Sequence, residues 1–200
     1  MEKKQIIISI GREFGSGGRV IAKGLSERFG IPFYDKDILR EIAAERNVDV
    51  KTLQEYDEVP KTMFFSRTVR GYSNSPEENI AHLQFNYLRK MAEDGKSFVI
   101  VGRCSEEVLK EYDALIPIFV LGDMDKKIER IQQLHHLTEE EAEDMILSTD
   151  KKRKGYHNYY CKRKWGDSRN YDLSINSSKL GIDKTVEILE TYIRERREQE

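Results

Sequence analysis

The sequence predicts an α/β fold with a central parallel sheet, and three observations predict it. Short apolar runs rich in β-branched residues alternate with longer segments whose apolar residues recur at helical spacing. The first of these runs ends in a glycine-rich loop that opens directly into a helical pattern. No linker and no internal repeat divides the 200 residues, which suit one domain with a small appendage.

The elements follow in order. Gln5–Ile10 reads as a buried first strand, and Gly11–Gly18 as the loop after it. Val20, Ile21, Leu25 and Phe29 lie on one helical face, and Gly30 stops that helix. Ile31–Tyr34 predicts a second strand and Asp35–Arg46 a helix; a further short helix starts near Asp49. Val59–Ser75 has no clear period and reads as a long loop. Ser75-Pro76-Glu77-Glu78 is a helix start, and Gly95 is the stop. Ser97–Val101 predicts a strand, followed by Gly102-Arg103 and a helix over Ser105–Tyr112. Leu115–Leu121 predicts a strand at an edge or bulge, because Pro117 lacks an N–H. Asp125 is a candidate cap for a helix to Leu134, and Thr138 with Glu141 forms a capping box. Tyr171–Ile175 reads as the last strand, and Asp183 as the cap of a final amphipathic helix.

Composition bounds the function. Hydrophobic residues are 38% and charged residues 35%, which excludes a disordered chain, and no apolar run reaches the length of a membrane helix. Cys104 and Cys161 form no CxxC pair, and together with the absence of a signal-peptide pattern they predict a reduced, cytoplasmic protein. The net charge of -2 excludes a polycation. Locally, however, Lys151–Lys164 reads KKRKGYHNYYCKRK, seven cations and no acid. Such a block suits a solvated helix face or phosphate contact better than nucleic acid. Trp165, Tyr159, Tyr160 and Tyr171 beside it read as packing residues, and His135-His136 as a helix C-terminus.

Ligands of parallel sheets sit beyond the carboxyl ends of the strands, which selects Gly11–Arg19, Asp35–Arg40 and Gly102-Arg103. In GREFGSGGR, four glycines fall within eight residues, more than a tight turn needs. Backbone N–H groups at a helix N-terminus converge there on one spot and suit a phosphate. Ser16 adds a hydroxyl. The pattern departs from G-x-x-x-x-G-K-[ST]: Gly18 stands where the lysine is expected. Arg19, or Arg12 within the loop, is left to supply the positive charge, which arginine can do bidentately.

With these motifs in place, the chain resembles the cytidylate-kinase-like family, a branch of the nucleoside monophosphate kinases. The resemblance rests on IISIGREFGSGGRVIA, FYDKDILRE, FVIVGR and WGDSRNYDLSINSSKLGID, and it runs the length of the chain. It implies a three-layer α/β/α P-loop kinase fold with helical acceptor-binding (about 49–95) and lid (148–170) segments. It implies ATP as phosphoryl donor, Mg²⁺, and small nucleotides as partners. Gly15, Ser16, Gly17, Gly18 and Arg19 would hold the triphosphate; Asp35, Arg40 and Arg103 would face the acceptor; Arg153 and Arg163 would belong to the lid. The implied reaction is transfer from ATP to CMP or dCMP; the alternatives are another small acceptor or a weak nucleotide sensor. Family members carry an Asp before the Gly-Arg pair, where this chain has Val101. No magnesium ligand is therefore assigned; Asp35, Asp37 and Glu13 are the candidates. For Asp35 a helix N-cap and for Arg40 a solvated position compete with these roles, and Arg130 is expected outside the site.

Overall fold

A computed structural model describes residues 4–35, 38–46, 51, 68–69, 72–73 and 76–199. Five strands form one parallel sheet: β1 (Ile7–Arg12), β2 (Phe33–Tyr34), β5 (Phe98–Val101), β6 (Leu115–Leu121) and β7 (Leu173–Asn176), in the order β2-β5-β1-β6-β7. A two-stranded antiparallel ladder, β3 (Thr68–Val69) with β4 (Tyr72–Ser73), lies in the stretch whose sequence shows no period. The helices are α1 (Gly18–Phe29), α2 (Ile38–Arg46), α3 (Pro76–Glu93), α4 (Ser105–Val108), α5 (Met124–His135), α6 (Glu139–Tyr160) and α7 (Ser177–Glu198).

The alternation of the strands explains the three layers. Ile6, Ile8 and Ile10 share one face with Val99, Val101, Ile116, Ile118 and Val120, and bury it against Ile21 and Leu25 of α1 and Val186 and Leu189 of α7. Ile7, Phe98, Ile100 and Leu115 point the other way, against Ile38 and Ile42 of α2 and Leu88 and Met91 of α3. A sheet apolar on both faces needs a helical layer on each. β1 lies between β5 and β6, with the chain leaving toward both sides of it, so the loop after β1 opens at a topological switch point.

Several expectations need correction. β6 is an interior strand despite Pro117. The Pro117 carbonyl accepts from Asp172 N–H, so its nitrogen faces the same side, where β7 pairing begins only at Ile118↔Leu173. The missing N–H falls just before the partner strand starts, and no ladder bond is lost. The helix expected to Tyr112 is the single turn α4, because burial of Leu109 against the core turns the chain. The position before α5 is Asp123, not Asp125. α7 is capped by Asn176, whose side chain accepts from Ser178 N–H, and Gly181 (φ 77°) breaks it before Asp183. The capping box of Thr138 and Glu141 forms as expected, as does the stop at Gly95 (φ 71°). The expected helix near Asp49, most of 49–75 and Asp37 lie outside the described residues.

Candidate active site

The loop between β1 and α1 is held open by positive φ at Gly15 (82°) and Gly17 (78°), a region costly for residues with a Cβ. Gly17 occupies the N-cap position of α1 and offers no side-chain cap. Among the described residues, the N–H groups of Gly15, Ser16, Gly17 and Arg19 find no backbone or side-chain acceptor, while Gly18 N–H reaches Ser16 Oγ at 3.4 Å. Four donors at one helix start, with the helix dipole behind them, make an anion cradle.

The underside of the loop is braced. Lys127, 5% exposed, reaches Glu13 at 3.0 Å and Asp150 at 3.7 Å. Glu13 also accepts from Gly122 N–H at 3.2 Å, and Asp150 accepts from Phe14 N–H at 2.7 Å. Burial raises the pKa of Asp150 and outweighs the lowering by the Phe14 N–H, Lys127 and Arg153. The bracket ties the loop to α5 and α6 and leaves the N–H groups of Gly15, Ser16, Gly17 and Arg19 unspent. Sequence reading missed Lys127 and Asp150, because each looks like an ordinary charged residue on a helix.

The two candidates for the missing lysine part company here. Arg12, at the end of β1, is 8% exposed. A Cβ on Gly18 would stand 2.6 Å from Arg12 Cβ and 3.2 Å from its Cγ. The stem of Arg12 thus fills the space a side chain at position 18 would need. Arg19 turns elsewhere: its Nε reaches Asp35 at 2.7 Å, and its side chain is 65% exposed. The Asp35 carboxylate is accordingly engaged by Arg19. Arg40 is exposed on α2.

Arg12, Arg103 and Arg153 line one small cavity together with Glu106 and His157. Arg153 crosses from α6 to donate to the Arg12 carbonyl at 3.4 Å and lies over the Phe14 ring at 5.3 Å. Arg103 is 1% exposed and sits in a run of left-handed residues, Gly102 (φ 73°), Arg103 (60°) and Cys104 (52°). Two non-glycine residues in that region are strained, a condition that clusters at functional turns. Arg163 stands apart from this group. It reaches Glu107 at 3.9 Å and lines a separate groove that includes Lys110, Leu115 and Pro117.

Arg130 comes nearer than expected. Its guanidinium carbon is 3.5 Å from where a Cβ on Gly17 would lie. With Gln133, Leu134 and Ser178 it lines a groove of about 430 Å³ that begins at Gly15 and Ser16. Spacing along α5 could not reveal this, because the neighbour of Arg130 is a loop more than a hundred positions earlier.

A buried cluster adjoins the arginines. His157 Nε2 lies 2.5 Å from Glu106 Oε1, and both residues are under one-tenth exposed. Burial favours neutral His157, but hydrogen bonds with Cys161 and Glu106 and the charge of Glu106 outweigh it, and its pKa is raised. The Cys161 thiol is lowered by its hydrogen bond with Cys104, against burial and with the help of His157.

Comparison with known proteins agrees with this geometry. The family model for the "Cytidylate kinase-like family" matches residues 7–179. A cytidylate kinase from Methanococcus vannielii is 30% identical over 195 residues, covering 94% of this chain and all of the relative. The crystal structure of an uncharacterized protein from Eubacterium ventriosum is 40% identical, with a TM-score of 0.76 over 95% of this chain and 99% of that one. A shikimate kinase from Bacteroides thetaiotaomicron shares the fold at 16% identity, with a TM-score of 0.55 over 94% of this chain and 98% of that one. The architecture is the three-layer α/β/α fold of the P-loop kinases. No helix of the described residues is long and apolar enough to cross a membrane.

Proposed function

The chain belongs to the cytidylate kinase-like family, and on that basis we propose that it transfers the terminal phosphoryl group of ATP to a nucleoside monophosphate, with CMP or dCMP the first candidates. The observation that carries the reading is the convergence of Arg12, Arg103 and Arg153 beside a loop whose N–H groups await an acceptor. Three guanidinium groups around one small cavity call for a polyanion.

In this reading the N–H groups of Gly15, Ser16, Gly17 and Arg19 bind the β- and γ-phosphates. The groove along Arg130 and Leu134 takes the donor's base and ribose. Arg12 and Arg153 neutralise the charge that spreads over the γ-phosphoryl oxygens. Arg103 faces the acceptor phosphate, and Asp35, oriented by Arg19, and Arg40 border the acceptor's side of the pocket. An acceptor phosphate oxygen attacks the γ-phosphorus, and the bond to the bridging oxygen of the departing ADP breaks. Such transfer needs positioning and electrostatic stabilisation more than a protein nucleophile, which fits a site of glycines and arginines. Mg²⁺ bound with the triphosphate would supply further charge neutralisation. Of the carboxylates considered as its ligands, Glu13 already holds Lys127 and Asp35 already holds Arg19. Residues 148–170 cover the site as the lid, with Arg153 as its contact with the loop, while Arg163 stands outside the arginine cavity.

The test is ADP formation from ATP and Mg²⁺ with CMP, dCMP, UMP, AMP, GMP or dTMP added singly. Stimulation by cytidine nucleotides is expected, and Arg103→Ala should chiefly raise the acceptor KM. ATP binding with no stimulation by any monophosphate would overturn the reading.

A further inference from the structure

The side chains of Glu106, His157 and Cys161 bring a carboxylate oxygen, an imidazole nitrogen and a thiol sulfur within 4.8 Å of one another, all buried. Theirs is the one such grouping of three or more metal-ligating types among the described residues. A fourth donor stands beside it, for Cys104, 4% exposed, packs in the same buried cluster as Cys161. We infer that these four residues form a structural zinc site.

Local structure supplies the donors in two pairs. His157 and Cys161 lie four apart at the end of α6, so both project from one helical face. Cys104 and Glu106 lie two apart at the start of α4, in the turn whose left-handed residues follow β5. Two short pairs from two elements are the usual construction of a structural zinc site, and zinc takes thiolate, imidazole and carboxylate ligands in tetrahedral geometry, though in the commonest structural sets a Cys or His stands where Glu106 does. Zinc bonds of about 2.0–2.3 Å put tetrahedral donors roughly 3.3–3.8 Å apart. The three atoms need close by about 1–1.5 Å from their 4.8 Å limit, Cys104 turns in from outside that grouping, and the Glu106–His157 contact opens to admit the ion.

Charge favours the same occupant. Binding Zn²⁺ takes both thiols as thiolates and releases their protons. Three anionic ligands and the dication leave one net negative charge, beside the buried Arg103. An entry path exists: Glu106 lines both the small arginine cavity and the larger groove of about 880 Å³ on its other side. The ion would staple the end of α6 to the turn that carries Arg103. The separation of Arg103 from the α6 backbone that carries Arg153 would then be set before any nucleotide arrives.

The experiment uses the full chain, stripped of metal and reduced, and reads no catalytic activity. Co²⁺ is titrated in as a spectroscopic probe. A thiolate-to-cobalt charge-transfer band with intense visible bands is expected, saturating at one ion per chain and abolished by Zn²⁺. On the unaltered sequence, Zn²⁺ should protect both cysteines from a thiol reagent. Cys161→Ser, checked for folding by circular dichroism, should weaken binding by more than about tenfold. No charge-transfer band, or thiol reactivity indifferent to Zn²⁺, would overturn the site. Oxidation of Cys104 and Cys161 to a disulfide in preference to metal uptake would also overturn it. Because no step depends on nucleotide, a kinase without the metal site and a metal site without the kinase remain distinguishable.

Discussion

Gly18 should tolerate a side chain only if Arg12 is removed, and the two positions should be energetically coupled. A Cβ at position 18 would approach Arg12 Cβ to 2.6 Å, whereas carbon atoms settle near about 3.5–4.0 Å. The overlap is therefore about 1 Å against an atom fixed to the backbone of β1, which cannot rotate away. Overpacking of this kind costs about 1–3 kcal/mol. Replacing glycine near a helix start returns at most about 1 kcal/mol, so Gly18→Ala alone should lose about 1–2 kcal/mol. In an Arg12→Gly background the collision is gone, and the same change should be neutral or stabilising. Urea unfolding of the four proteins of this cycle gives the coupling, expected at about 1–3 kcal/mol. A coupling below about 0.5 kcal/mol would refute the argument that the Arg12 stem occupies the space of the loop's missing lysine.

Three further outcomes can be checked. Arg12→Ala should lower kcat by about 10²–10³, as loss of one preorganised donor does, while Arg19→Ala, which breaks a partly exposed ion pair, should change it by less than about tenfold; the reverse ranking in steady-state kinetics would reassign the loop's cation. Lys127→Met should cost about 3 kcal/mol in urea unfolding, because it strands Glu13 and Asp150 without their shared cation; a loss under about 1 kcal/mol would mean that the bracket contributes little. Asp150 has a raised pKa, so the folded state takes up its proton at a higher pH than the unfolded chain does, and acidification through that pKa favours folding at this site. The stability of wild type relative to Asp150→Asn should therefore improve as pH falls from about 7 to about 4, and a flat difference across that range would refute the burial argument.

By itself the sequence determined the layers, the glycine loop after β1 and some of the helix ends. These are local matters: period-2 and period-3.6 patterns assign Ile7 and Ile8 to opposite faces, glycine permits the left-handed turns at Gly15 and Gly17, and Thr138 bonds only three residues ahead to Glu141. Tertiary structure alone decided which cations meet. Arg12 and Arg19 look equivalent in the sequence, yet one ends buried beside Gly18 and the other in an ion pair with Asp35. Arg130 reaches the groove by the loop, Arg163 turns to Glu107 outside the arginine cavity, and Glu106 meets His157 across 51 positions. The position of Pro117 was likewise misjudged as an edge, because strand order is invisible to a strand's own residues. Periodicity states which side of an element a residue occupies; what lies on that side depends on the crossovers that set strand order, and these join segments with no local physical signal between them.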